Sequence, residues 1–320
     1  MFGHGVPAVL SVIPDTFTFA WIVAILFAAA WVLDSRGLAA GRTLAAATWA
    51  LFGLFWLSTV PYFAFEHQSY VESILALVGF PASVYAGYLL YSGRASLFTL
   101  TRAIAIMLFI YLPFETIPAF TVAGFSVPEP RRILIEIVAT QTGMLIDLLG
   151  YAPEAVTSSE GYDAAYSWTL DDGHTVIIHI VLACTGLGSM AIFGGLVAAV
   201  EAPLSRKLRA LAVSLPLIYV LNILRTTFIS VVAGNQYMHW YPDLVLTMFG
   251  ATDPYRVSFL ISDRIMSQLL AVVALIAITF LAVRELPELA VILEDVLYLI
   301  TGDEHDLTES LDLPREPTNR

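Results

Sequence analysis

The chain is poor in charge. Of its 320 residues 13% are Asp, Glu, Lys or Arg, against 58% hydrophobic and a mean hydropathy of +0.79. A water-soluble globule carries about a quarter charged residues, so a large soluble domain is excluded. Lysine is all but missing: among 15 basic residues Lys207 is the one lysine, and 27 acidic residues bring the net charge to −12. Such a balance excludes nucleic acid as a partner. It suits a medium of very high salt, where carboxylates keep a chain soluble, and so points to a halophile. The lone cysteine, Cys184, excludes an intramolecular disulfide, and its place within an apolar run argues against bridging between chains. Its use is packing or chemistry. Met1 to Pro14 lacks a basic n-region and the first apolar run ends in Asp34-Ser35-Arg36, so no cleavable leader is expected. No internal repeat of transporter or solenoid type is visible.

Long apolar runs are what the sequence does have. A bilayer takes roughly 20 apolar residues, and runs of that length fall at about 16–33, 43–64, 70–91, 98–119, 174–200, 210–234 and 263–283. The expected fold is an all-α polytopic membrane protein of about seven transmembrane helices. Arg36, Arg42, Arg94, Arg206, Lys207, Arg209, Arg284, Arg315 and Arg320 fall on one side of these spans, and Arg131, Arg132 and Arg256 on the other. By the positive-inside rule the N-terminus is outside and the C-terminus cytoplasmic. The chain then divides into four parts: a four-span bundle (1–119), an extracytoplasmic segment (120–173), a three-span region (174–284), and a cytoplasmic amphipathic helix with an acidic tail (285–320). Within the second part Arg131 to Leu149 has helical spacing and suits the outer interface, whereas Ala152 to Gly173 reads as an acidic loop. Gly302 to Arg320 reads as disordered.

Ionisable groups inside a span are costly and mark function by default. Arg225 lies nine residues before the end of the sixth run at Gly234, about 13 Å below the outer face at ~1.5 Å per residue. Asn222, three residues earlier, shares its helical face. The bland alternative is an arginine paired with an intramembrane carboxylate such as Glu115. Cys184, in Ala183-Cys184-Thr185-Gly186-Leu187-Gly188-Ser189, lies ten residues into the fifth run, at nearly the same depth. A buried cysteine is most often a small hydrophobe, but a guanidinium at matching depth favours a thiolate. Gly188 uncovers the cysteine's face, and Gly186 permits close helix approach. Arg264 heads the seventh run, where an interfacial anchor is the plain alternative. His179 is about 140° round a helix from Cys184. His174 and His239 stand at the mouth, and Asn222 and His239 are the candidate auxiliary groups. No metal-ligand spacing is present, so neither metal nor cofactor is expected.

Ala183-Cys184-Thr185-Gly186-Leu187, the run Asn222-Ile223-Leu224-Arg225, and a basic residue at Arg264 together resemble the exosortase/archaeosortase family of multi-spanning cysteine transpeptidases, over residues 174 to about 275. The family usually has histidine where Arg264 stands; arginine there is similar to its archaeosortase branch. The resemblance implies an enzyme of the cell membrane with its site facing outward. It would cleave the C-terminal sorting tails of surface glycoproteins (a Pro-Gly-Phe motif, a transmembrane stretch and a basic cluster) and couple cleavage to a membrane lipid as acceptor. It also implies Cys184, Arg225 and Arg264 as catalytic residues, with proton transfer left to water, His239 or another group. A transporter or channel using Arg225 as an anion site is the alternative. A retinal protein fails because Lys207 lies outside the spans, and a serine protease built on Ser189 lacks a histidine within a later span.

Overall fold

The computed structural model describes residues 15–66, 69–122 and 124–307. In chain order its elements are α1 (Thr16–Ser35), α2 (Ala40–Pro61), α3 (Tyr70–Ser92), α4 (Leu97–Thr116), β1 (Phe120–Val122), β2 (Phe125–Val127) and α5 (Pro130–Leu148). After these come β3 (Glu154–Val156), β4 (Ala165–Thr169), β5 (Thr175–His179), α6 (Leu187–Ala199), α7 (Leu204–Gly234), α8 (Pro242–Phe249), α9 (Val257–Phe259), α10 (Gln268–Glu285) and α11 (Leu289–Thr301). Two compact units result: Met1–Thr116, Gly194–Pro203 and Leu286–Arg320 form one, and Ile117–Phe193 with Leu204–Glu285 the other.

The multi-pass reading holds, with a different count. Among the described residues six helices are long and apolar enough to cross a bilayer: Thr16–Ser35, Ala40–Glu66, Tyr70–Ser92, Leu97–Thr116, Leu204–Gly234 and Pro254–Glu285. The expected fifth span, 174–200, is not one helix. It divides into strand β5, a 3-10 turn at Leu182–Thr185 and the 13-residue α6. Thr175, Val176, Ile177 and Ile178 all carry β-branched side chains, which favour a pleated strand, and Gly186 in the left-handed region (φ 76°) then breaks the chain direction. The expected loop 152–173 likewise contains β3 and β4. With β5 they form an antiparallel sheet in which Ala165 faces His179 and Thr169 faces Thr175. The expected helix after Arg131 is α5, and the amphipathic pattern after 285 is α11. Met1 to Pro14 and the tail from residue 308 lie outside the described residues.

In the first unit, α1 to α4 pack around Phe27, Trp49 and Phe52, whose rings meet edge-on at 5.3 to 5.9 Å. Asp15 caps α1 by accepting from the Phe17 and Thr18 amides. Lipid offers apolar side chains as good a home as a neighbouring helix does, so close packing and buried hydrogen bonds supply the specificity. Gly87 lets α3 approach the Ala46 carbonyl, and Trp49 Nε1 donates to Thr101 Oγ1 at 2.9 Å. An arginine not weighed in the sequence, Arg102, lies over the Trp31 ring at 4.6 Å.

The second unit sets its sheet on α5 and α7. Trp168 of β4 fills the space left by Gly234, and Tyr166 Oη donates to the Ala139 carbonyl at 2.6 Å. Tyr219 Oη donates to Gln141 Oε1 at 2.6 Å, which joins α7 to α5.

Arg94, between α3 and α4, holds α11. Its Nε donates to the buried Asp295 at 2.7 Å, its Nη1 to Glu304 at 2.7 Å, and its guanidinium covers the Tyr298 ring at 3.8 Å. Arg94→Ala removes the ion-pair partner of the buried Asp295 and leaves it the Ser96 hydroxyl at 2.8 Å. It is expected to cost about 3 kcal/mol and to open α11 to proteolysis; an unchanged digestion pattern of the purified variant would contradict this.

Candidate active site

Cys184 lies in the 3-10 turn Leu182–Thr185, where its amide donates to the Val181 carbonyl at 2.8 Å. The first hydrogen bond of α6 runs from the Met190 amide to the Gly186 carbonyl, so the turn ends before the helix begins. The Cys184 carbonyl is thereby left without a backbone partner, as the last carbonyls of any helical turn are. Side chains of α7 supply one. Asn222 Nδ2 donates to it at 2.5 Å, and the Thr226 hydroxyl lies 3.2 Å from it and 2.9 Å from the Asn222 carbonyl. Asn222, Arg225 and Thr226 are spaced i, i+3, i+4 and share one helix face. A Cβ on Gly186 would meet Asn222 Cγ at 3.1 Å, so the glycine serves both the turn and the approach of α7. Gly188, expected to uncover the cysteine, plays no comparable steric part: a Cβ at that position would have nothing within 4 Å.

Arg225 is paired with a carboxylate inside a span, the form that the plain alternative took. Its partner is Asp263: Arg225 Nη2 meets Asp263 Oδ1 at 2.6 Å, and Arg264 Nε lies 3.4 Å from Asp263 Oδ2. Asp263 and Arg264 both stand in a π-helical stretch, Leu260–Ser267. The wider π turn inserts a residue into the ladder and re-aims the side chains, a device common at functional sites. Arg264 is accordingly not at the head of its helix, as the apolar run suggested. The helical span begins at Pro254, ten residues earlier, and the Arg264 side chain is 13% exposed. The charged groups whose field reaches the Cys184 thiol are Arg225, Asp263 and Arg264.

Between α7 and α10 lies a cavity of about 570 Å³, lined by Gly186, Ser189, Asn222 and Arg225 at its polar end and by apolar side chains beyond. Histidine does not line it. His239 is exposed, with Nδ1 3.4 Å from Gln236 Oε1. His179 belongs to β5, so helical angles do not apply to it; its Nδ1 accepts from the Ser159 amide. His174 stacks on Tyr255 at 3.6 Å, and Tyr255 Oη donates to Asp172, holding that carboxyl below its ordinary value. Farther along the segment, burial and a hydrogen bond to Glu129 push Tyr162 up to about 12. Among the described residues no three His, Cys, Asp or Glu side chains converge as metal ligands would. Asp263 and Thr226 are the partners that sequence reasoning missed. Asp263 adjoins Arg264, and a carboxylate beside an arginine inside a span was the available signal.

With that geometry in place, comparison with known proteins is direct. The family model described as transmembrane exosortase matches residues 13–254. The chain belongs to the transmembrane exosortase family. Among relatives of this exosortase, archaeosortase A of Haloferax volcanii is 54% identical over 294 residues, covering 92% of this chain and 97% of the relative. Archaeosortase A of Natronomonas pharaonis is 42% identical over 310 residues, covering 92% of each. No solved structure matches. The acidic, lysine-poor composition agrees with these halophilic sources.

The two glycines of the cysteine turn in this exosortase separate the steric demands. Gly186→Ala forces a side chain into the left-handed region and against Asn222, and should destabilise the protein by about 1–2 kcal/mol. Gly188→Ala should be neutral or mildly stabilising. Thermal unfolding of both variants in detergent checks this, and equal melting temperatures would contradict it.

Proposed function

We propose that this chain is a membrane-embedded cysteine transpeptidase that cleaves C-terminal sorting tails of surface proteins and passes the acyl group to a membrane lipid. What carries the reading is the shared anchoring of the cysteine and the arginine. The Cys184 carbonyl is clamped by Asn222 and Thr226, and Arg225 lies between these two on the same helix face. The family's motif residues thus form one local cluster instead of three separate helices' worth of packing. The relatives named archaeosortase A agree with the class of reaction.

In this mechanism the Cys184 thiolate attacks a carbonyl carbon of the tail. The C–S bond forms, the C–N bond breaks, and the leaving amine takes up a proton. Arg225 stabilises first the thiolate and then the oxyanion, a role in which preorganised donors count most. Asp263 is a positioning residue that holds the Arg225 fork through one hydrogen bond. Arg264, on the far oxygen of Asp263, adds fixed positive charge. Cys184 also stands three residues before the start of α6, whose first amides favour a developing anion. An amine or hydroxyl of a lipid headgroup then attacks the thioester; the C–S bond breaks and the thiol is restored. Arginine cannot act as a base at ordinary pH, so protons pass to the leaving group and to water, with His239 as an auxiliary group near the mouth. The positive-inside pattern supports an extracytoplasmic position for this site.

Cys184→Ala should fold and insert normally yet leave tails uncleaved, since a thiol-to-methyl change disturbs packing little compared with loss of the nucleophile. Intact-mass spectra of the parent should show a trapped acyl fragment that the variant lacks. Undiminished processing by the variant would remove the nucleophile and favour a transporter with an anion site at Arg225.

Arg264→Gln should lose about 2–4 kcal/mol of transition-state stabilisation, as for a lost oxyanion donor. Arg264→His should regain activity only as pH falls below a pKa near ~6.5, because the imidazole is charged only on the acid side. Cleavage of a lipid-embedded substrate across neutral pH decides: full activity of the Gln variant would make Arg264 a structural anchor.

A further inference from the structure

Arg102, Arg225 and Arg264 all stand well inside membrane-spanning helices. Arg225 and Arg264 share the carboxylate of Asp263. Arg102 of α4 forms no ion pair among the described residues, although acidic residues outnumber basic ones 27 to 15. Its Cα lies about 8 Å along the helix from Leu97, at ~1.5 Å per residue. A charge inside a span marks a functional site by default. Helical side chains lean toward their own N-terminus, so Arg102 leans toward the α3–α4 turn, the end of the bundle at which lipid phosphates lie.

The surroundings of Arg102 leave donors open. Its guanidinium lies over the Trp31 ring of α1 at 4.6 Å. Nε is buried without a hydrogen-bond partner, whereas Nη1 and Nη2 are neither buried in this way nor bonded to another described residue. The Trp31 N–H is open in the same sense. Other tryptophans of this unit are satisfied: Trp21 Nε1 donates to Thr116 Oγ1 at 3.2 Å, and Trp49 Nε1 to Thr101 Oγ1 at 2.9 Å. An indole N–H away from water normally finds such a partner. At the α1–α4 seam an indole N–H and a guanidinium fork thus stand side by side with no acceptor from the described chain.

We propose that Trp31 and Arg102 form a binding site for the phosphate of one anionic phospholipid, held at the seam of α1 and α4 as a resident ligand. The planar edge of Nη1 and Nη2 matches two phosphate oxygens, and the indole N–H adds a neutral donor. Stacking on Trp31 fixes the plane of the fork before the ligand arrives. Basic pockets between transmembrane helices suit lipid headgroups for these reasons. A free phosphate presents the same oxygens, but it cannot cover the apolar surface of α1, on which Ile25 is 55% and Val32 38% exposed. This lipid takes no part in the proposed chemistry, so the inference stands apart from the transpeptidase reading.

The test uses the full-length protein, stripped of lipid in a neutral detergent and titrated with phosphatidylglycerol, with native mass spectra as the readout. One phosphatidylglycerol per chain should bind in preference to a diacylglycerol with the same chains, and excess inorganic phosphate should not displace it. Arg102→Gln should weaken binding roughly 10–100-fold, the worth of a charge-assisted contact. Trp31→Phe keeps a ring but loses the N–H, and should weaken it about fivefold. Arg42→Gln, at an exposed arginine of α2, should leave it unchanged. Should Arg102→Gln fail to fold, a phosphatidylglycerol with a headgroup diazirine decides on the parent: labelling should concentrate on peptides covering 28–36 and 98–106. Binding by Arg102→Gln equal to the parent's, or labelling spread evenly over the spans, would overturn the site and leave Arg102 to water. Displacement by inorganic phosphate would overturn the lipid as its occupant.

Discussion

A backbone carbonyl without a backbone partner organises the candidate site. The turn holding Cys184 closes before α6 opens, and the part-buried Cys184 oxygen takes its hydrogen bonds from Asn222 and Thr226. Leaving such a group unpaired costs as much as losing a hydrogen bond outright. The contact therefore fixes the height and rotation of the cysteine turn against α7. Everything else on that face inherits its register: Arg225 stands between the two donors, and the α7 segment beyond them carries Ser230 and Gly234, the latter receiving Trp168.

The same helix organises the rest of its unit. Tyr219 bonds α5 at the middle of α7, Trp168 of the sheet covers Gly234 at its C-terminal end, and Arg225 joins Asp263 in between. A strand, a helix and a π-helical stretch thus meet one rod. Positions held by several such contacts are suited to chemistry that tolerates little displacement.

Much of this was legible from residue types, and the remainder escaped for physical reasons. Depth arithmetic set Cys184 and Arg225 at one level by treating 174–200 as a helical span; that stretch is a strand, a turn and a short helix, and the cysteine turn instead meets α7 through Asn222 and Thr226. Apolar run length then misled twice. Thr175 to Ile178 is as apolar as a helix, but β-branching and the left-handed Gly186 make it a strand and a turn. Arg264 looked like a helix head because Asp253 to Asp263 is more polar than the run after it, whereas the π-helical stretch carries those charges inside the span. Asp263 escaped notice for a related reason: its place beside Arg264 marked it as a charge inside the span, but its partner Arg225 lies 38 residues away. The strands at 154–156 and 165–169 are short and partly polar, so they read as loop until Trp168 and Tyr166 find α7 and α5.

The Arg225–Asp263 pair also bears on how the chain enters its membrane. Each such charge costs about 2.5–3.5 kcal/mol at the centre of an isolated helix during insertion. The span beginning at Pro254 carries Asp263 and Arg264 side by side, and α7, made earlier, carries Arg225. Inserted alone, α7 holds Arg225 without its carboxylate, whereas the later span already sets Arg264 3.4 Å from Asp263; inserted as a hairpin across α8, Arg225 gains Asp263 at 2.6 Å. Membrane integration of this hairpin and formation of the Arg225–Asp263 pair are thereby coupled in energy.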